Sequence, residues 1–212
     1  MKKLESSLKN MALALTGFSV IAGGVLGWVN DITSGPIAEA NAKTLSDAIA
    51  VVVPGFDNNP AEAPETIDVD GATYKIYKAY KGEEFVGAAV ESSSMGFGGE
   101  LKVLVGFDVE GNIIDYSLLS HAETPGLGSK AADWFKKGGK GDITGLNPGK
   151  EALVVSKDGG KIDAITASTI TTRAFLLAVN KAYSAYSNQE VDGASGATQQ
   201  VSSEQKVESE TK

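Results

Sequence analysis

The 212-residue chain contains no cysteine and only one histidine, His121. Disulfide bonds, thiolate zinc sites and cysteine-ligated iron–sulfur clusters are therefore excluded, and so is a metal site built from several histidines. Any electron transfer by this chain would need an organic cofactor. The absence of cysteine fits either side of a membrane, so it does not identify the compartment. A single histidine is most often structural or on the surface, which is the expectation for His121.

Basic residues are also fewer than acidic residues. The chain has 19 lysines and arginines against 27 aspartates and glutamates, for a net charge of −8. A body of this charge repels phosphate backbones, so nucleic acid is not expected as a partner. The length suits one domain with extensions, and a hydrophobic content of 42% permits a packed core.

Charge is absent from residues 10–30, which predicts a transmembrane helix over that range. The apolar run at positions 11–29 would span about 28 Å as a helix, close to the ~30 Å hydrocarbon core of a bilayer. Trp28 stands where an interfacial aromatic residue is expected. Because Lys2, Lys3 and Lys9 precede the run, residues 1–9 are predicted to be cytoplasmic and the rest of the chain extracytoplasmic, as a single-pass inner-membrane protein.

A cleaved signal peptide is the alternative for this segment, with a small-residue cleavage site at positions 40–42. The apolar core of a signal peptide usually has about 7–15 residues. The run here is longer, and the small-residue site lies well beyond its end. An anchor in the lipid bilayer is therefore preferred.

The sequence of residues 31–212 predicts a helical linker, one α+β domain and a tail. In the linker, residues 31–66, a helix follows Gly35-Pro36, and Pro-containing sequence then forms a loop. The domain covers residues 67–187, and the polar segment 188–212 is predicted to be a disordered tail. Within the domain, alternating apolar residues predict an antiparallel sheet, with strands near 74–80, 84–91, 101–105 and 113–119. Helices packed on that sheet are predicted near Trp134-Phe135 and over 169–186, where Phe175, Val179, Ala182, Tyr183 and Tyr186 form the apolar stripe.

Hydroxyl side chains cluster just before this last helix, in Asp163-Ala-Ile-Thr-Ala-Ser-Thr-Ile-Thr-Thr-Arg173. Asp163 and Thr166 are plausible N-caps. The first turn of a helix offers free N–H groups and a partial positive charge, so a phosphate is stabilised there, and Arg173 could add a cation. On composition alone, capping is the better explanation for these residues.

The segment resembles the flavinylation motif of the FMN-binding domain family, Asp-x-x-Ser/Thr-Gly-Ala-Ser/Thr-x-Ser/Thr. In that family a flavin transferase uses FAD to attach FMN to the second-block threonine through a phosphoester. The resemblance implies Thr169 as the acceptor, framed by Asp163, Thr166, Ser168 and Thr171. The chain has Ala167 where the pattern has glycine, a departure that matters if the position requires a positive φ.

A second block, His121-Ala-Glu-Thr-Pro-Gly-Leu-Gly-Ser-Lys130, is similar to the family's Glu-Thr-Pro-Gly-Leu-Gly loop. Proline and two glycines let a backbone approach a flat ring closely. Leu127 would cover the ring face. The polar edges would be bonded by Glu123, Thr124 and Lys130, with Gly126 and Gly128 supplying the close backbone. A weaker third block, 96–102, is similar to a glycine-rich strand entry of the family, but a plain loop explains it equally well.

Together the blocks resemble the G-subunit family of Rnf-type electron-transport complexes and, secondarily, the C-subunit family of sodium-translocating NADH:quinone reductases. The resemblance implies an electron carrier with covalent FMN, without independent turnover, that assembles with other membrane subunits in an ion-translocating complex. A membrane-tethered envelope-binding module without a redox role and a free flavoprotein reductase remain alternatives. Asp192-Gly-Ala-Ser-Gly-Ala-Thr198 also matches most of the motif, but no amphipathic helix follows it, so Thr198 is only a secondary acceptor candidate.

Overall fold

The structure, a computed structural model, describes residues 8–69 and 71–187. The chain divides into two units between Thr44 and Leu45. The first contains most of helix α1, and the second contains the end of α1 and a sheet domain. The predicted tail at 188–212, with Thr198, lies outside the described residues, as do residues 1–7.

Helix α1, Leu8–Val52, is one continuous element. The sequence predicted two helices separated at Gly35-Pro36, and that break is wrong. Pro36 lacks an N–H and so removes one backbone hydrogen bond, but the alanine-rich sequence that follows strongly favours helix. In the first unit the apolar side chains of α1 are exposed, and the helix is long and apolar enough to cross a membrane.

The sheet is an antiparallel meander of five strands in chain order. Its strands are β1 (Glu65–Val69), β2 (Ala72–Lys81), β3 (Glu84–Met95), β4 (Glu100–Phe107) and β5 (Ile113–His121). The four predicted strands correspond to β2–β5, which confirms the antiparallel sheet. The prediction of a linker through residue 66 is wrong, because β1 begins at Glu65 and pairs with β2 from there.

Each face of the sheet carries its own apolar cluster. On one face, Ile49 and Val52 at the end of α1, with Val53 directly after it, pack with Tyr77 and Leu104. On the other, alternate residues of β3 and β4 pack against α3, Thr169–Ser187, through Phe175, Val179 and Ala182. The predicted apolar stripe of the last helix is thereby confirmed, with Tyr183 and Tyr186 half-buried at its end. The domain is therefore an α+β sandwich of three layers.

Loops rather than strands connect β5 to α3. A one-turn helix, α2 (Ala131–Trp134), follows a 3-10 turn at Gly128–Lys130, and a second 3-10 turn lies at Ser156–Asp158. The sequence predicted that a short helix begins at Trp134-Phe135; a short helix is present, but it ends at Trp134 instead of beginning there. Phe135 stacks on Phe175 with ring centroids 4.3 Å apart, which fixes α2 against the middle of α3.

Candidate functional site

A cavity of about 330 Å³ opens where three segments of the domain meet. These are the loop after β3, the loop after β5 and the first turn of α3. Its lining residues are Phe97, Glu123, Thr124, Leu127, Gly128, Ala167, Ser168, Thr169, Ile170 and Thr171. The volume lies at the lower end of the ~300–1,000 Å³ typical of small-molecule sites. Large apolar side chains in this lining stand beside hydroxyl and carboxyl groups, a mixture that suits an aromatic ligand with a charged end.

The entry to α3 is a tight turn with a left-handed residue. Ser168 N–H donates to Ile165 O at 3.0 Å, and Ala167 between them has φ 62°. Among the described non-glycine residues, Ala167 alone has a positive φ. The position where the family pattern has glycine therefore does adopt the left-handed conformation that glycine favours.

The helix begins later than the predicted caps. Its first bond runs from Thr172 N–H to Ser168 O at 3.0 Å, so Ser168 occupies the N-cap position. The expectation that Asp163 or Thr166 caps the helix is wrong, because the left-handed turn separates both from the first helical residue. The helix start, with its unpaired N–H groups, is thereby placed at the cavity wall.

The hydroxyl groups at this helix start have different partners. Thr171 Oγ1 donates to Glu123 Oε2 at 2.7 Å, and Thr172 Oγ1 donates to Ser168 O at 3.0 Å. Both side chains are fully buried. Thr169 is half-buried at the cavity, and its Oγ1 accepts a hydrogen bond of 3.3 Å from the exposed Lys157 Nζ. The Thr169 hydroxyl therefore lies at the cavity, on a side chain that is only partly buried.

Lys157 reaches Thr169 because its turn is held on both sides. Val155 bridges Ile162, and Asp158 accepts two bonds from the Arg173 guanidinium, at 2.6 and 2.7 Å. That hydrogen-bonded ion pair holds the pKa of the Asp158 carboxyl below its usual value. The cation that hydrogen-bonds the Thr169 hydroxyl is thus Lys157, while Arg173, the cation suggested by the sequence, pairs with Asp158.

Comparison with known proteins identifies the family. A model of the FMN-binding domain matches residues 96–184, a range that contains every lining residue of the cavity. The G subunit of an ion-translocating oxidoreductase complex from Cereibacter sphaeroides is 33% identical over 84% of this chain and 83% of its own length. The protein of the same name from Yersinia pestis is 34% identical over 83% of this chain and 88% of its own length.

This chain belongs to the G-subunit family. The Vibrio cholerae member of that family is 30% identical, over 87% of this chain and 92% of its own length. A crystal structure of Shewanella oneidensis NqrC is 20% identical, with a TM-score of 0.43 over 57% of this chain and 64% of that one. The likeness to the G-subunit relatives extends well beyond the FMN-binding match.

Seven of the residues predicted for the cofactor lie together in this cavity: Glu123, Thr124, Leu127, Gly128, Ser168, Thr169 and Thr171. The other four lie outside its lining. Asp163 accepts from Trp134 Nε1 through its backbone oxygen, at 2.9 Å. The N–H of Gly126 donates to Ser129 Oγ at 2.9 Å, and Lys130 and Thr166 are exposed.

Sequence reasoning missed Lys157 and Ile170 and placed little weight on Phe97. Ile170 is the variable residue of the Thr-x-Thr motif, and Phe97 belongs to the weak third block. Both are exposed apolar side chains at the cavity, with 38% and 70% of their surface accessible. The presence of a large apolar residue inside each motif could have identified both as contacts of a ligand. For Lys157, twelve residues before Thr169, there was none.

Proposed function

We propose that this chain is the electron-carrier subunit of a membrane-bound, Rnf-type ion-translocating oxidoreductase complex, with FMN joined to Thr169 by a phosphoester. The observation that carries the proposal is the position of Thr169. Its half-buried hydroxyl stands at the start of a long helix, beside a lysine and at the wall of a cavity inside the FMN-binding match. The assignment to a complex rests on the relatives, which are named as G subunits of ion-translocating oxidoreductase complexes.

The residues present fit both ends of FMN. The first-turn N–H groups of α3 and the Lys157 ammonium would hold the phosphate, since both favour an anion. The exposed side chains of Phe97, Leu127 and Ile170 would contact the ring and keep water from it. When bound, FMN supplies the electron-transfer chemistry, and the protein supplies position, electrostatics and shielding.

Attachment is proposed to occur by transfer from FAD. The Thr169 hydroxyl oxygen forms a bond to the FMN phosphorus, the diphosphate bond of FAD breaks, and AMP leaves. The hydroxyl proton is released in the same transfer, so no oxidant or reductant is consumed. Lys157 donates to this oxygen, so its ammonium group would hold the negative phosphodiester. A flavin transferase is the partner that this maturation step requires.

The test of attachment compares Thr169→Val with Thr66→Val in full-length chain co-produced with a flavin transferase. Thr66 is exposed and lies outside both the cavity and the motif, so the same substitution there is a control. Flavin fluorescence that survives denaturing electrophoresis is expected in wild type and Thr66→Val and is expected to vanish in Thr169→Val. Undiminished fluorescence in Thr169→Val would remove the acceptor assignment.

Membrane placement is the second part of the proposal. Helix α1 would cross the bilayer once, with the basic N-terminal residues in the cytoplasm and the FMN domain outside. Anchoring would keep the covalent flavin close to the other membrane subunits. Protease added to spheroplasts is expected to digest the domain while a cytoplasmic marker stays intact. Protection of the domain would reverse the proposed orientation.

A further inference from the structure

Glu123 is an acidic side chain buried at the cavity, with only 6% of its surface exposed. A buried carboxylate is destabilising unless its oxygens are hydrogen-bonded. Here Oε1 accepts from Gly98 N–H at 3.2 Å, and Oε2 accepts from the Thr171 hydroxyl at 2.7 Å. Each oxygen therefore has a donor from a different segment of the protein.

Glycines make the space for this carboxylate. A Cβ at Gly96 would collide with Glu123 Oε1. A Cβ at Gly128 would lie 2.5 Å from Oε2 and 2.8 Å from Thr171 Oγ1. Neither glycine has a positive φ, so backbone conformation does not explain them. The absence of a side chain at both positions lets two loops close on the carboxylate without displacing it from its donors.

The same carboxylate joins the three segments that form the cavity. Gly98 belongs to the loop that carries Phe97, Glu123 starts the loop that carries Leu127, and Thr171 is two residues from Thr169. We propose that Glu123 is a positioning residue of the FMN site, which holds these walls together and sets a fixed negative charge against the ring. The charge half of this inference rests on the proposed function.

The two roles have separate physical consequences. Loss of the hydrogen bonds would release the loop at Gly98 even in protein that carries no flavin. A fixed negative charge beside the ring opposes the addition of electrons, so it lowers the reduction potential of the bound flavin. A residue that only supported the fold would not lower the reduction potential of the flavin through its charge. The reduction potential therefore distinguishes the charge role from a purely structural role.

The first experiment uses full-length protein produced without flavin transferase. Hydrogen exchange of the 96–99 segment is compared in wild type, Glu123→Ala and the control Glu151→Ala. Glu151 is exposed and pairs with Lys161 away from the cavity lining. Exchange at Gly98 is expected to rise about tenfold in Glu123→Ala, which is ~1.4 kcal/mol of lost protection, and to stay unchanged in the control. Unchanged exchange in Glu123→Ala would overturn the positioning role.

The second experiment measures the midpoint potential of flavin-loaded full-length protein. Glu123→Gln keeps the shape and removes the charge, so the potential is expected to move to a more positive value. Thr171→Val removes the donor that neutralises part of the charge, so the potential is expected to move the opposite way. Glu151→Gln is expected to match wild type. An unshifted potential in Glu123→Gln would overturn the charge role.

Failure of Glu123→Gln to fold or load would leave Thr171→Val as the deciding variant. A shift to a more negative potential in that protein supports the charge role, and an unchanged or more positive potential overturns it. Wild-type protein that carries no flavin would defeat the proposed function and the charge role together. The exchange experiment would still decide the positioning role, so the two failures are distinguishable.

Discussion

Replacement of Ala167 by glycine is expected to stabilise the domain, although it removes a methyl group. Ala167 has φ 62°, in the left-handed region. That conformation costs a non-glycine residue about 1–2 kcal/mol. Glycine removes this cost but gives the unfolded chain more freedom, worth roughly 0.5–1 kcal/mol. The balance is a gain of roughly 0.5–1 kcal/mol, which raises Tm by about 1–4 °C for a chain of this size.

Ala164 provides the matched control because it lies in the same loop without a positive φ. Ala164→Gly has no strain to relieve, so it is expected to lower stability by roughly 0.5–1 kcal/mol. Thermal unfolding of the full-length chain in detergent, followed by circular dichroism, measures both variants. Opposite signs are expected for the two substitutions. Destabilisation by Ala167→Gly as well would refute the claim that this turn stores backbone strain.

Two further predictions concern the turn beside Thr169. The hydrogen-bonded ion pair with Arg173 lowers the pKa of Asp158 in the folded protein. The ion pair therefore stabilises the fold at any pH above the pKa of an unfolded aspartate, about 3.9, and this stabilisation is lost as the pH falls through the lower pKa of the folded protein. Asp158→Asn should therefore reduce stability at pH 7 by about 1 kcal/mol or less and flatten the acid limb of a stability–pH curve; an unchanged limb would contradict the pairing. Lys157→Met should slow flavin transfer to Thr169 about tenfold while Lys161→Met does not, measured by in-gel fluorescence over time; equal rates would remove Lys157 from the phosphate site.

The sequence predicted the elements whose burial follows a simple period. Val103 and Val105 in β4 point to the same core as Phe175 and Val179 in α3, and both patterns are visible without coordinates. Strand β1 was missed because Ile67 and Val69 are its only large apolar residues, and its formation depends on backbone bonds to β2. Continuation of α1 through Pro36 depends on the helix preference of its neighbours.

In the candidate site too, the sequence predicted residues that belong to local motifs and missed contacts that depend on the tertiary fold. Thr169, Leu127 and Glu123 belong to short local motifs, so their resemblance to a family was readable in the sequence. The contacts of Lys157 and Arg173 depend on how the 155–162 turn folds back against α3, through the Val155–Ile162 bridge and the Asp158–Arg173 pair. The direction in which Glu123 points, toward Gly98 and Thr171, likewise requires three segments to be in place.

The proposed ester at Thr169 is tested most directly by peptide mass spectrometry of protein isolated from its native membrane. Trypsin cleaves after Lys161 and Arg173, so Thr169 falls in the 162–173 peptide, while Thr198 falls in the separate 182–206 peptide. The 162–173 peptide is expected to carry the mass of FMN less one water, with fragment ions assigning it to Thr169. An unmodified 162–173 peptide at full abundance, or the added mass on the 182–206 peptide alone, would contradict the proposed linkage.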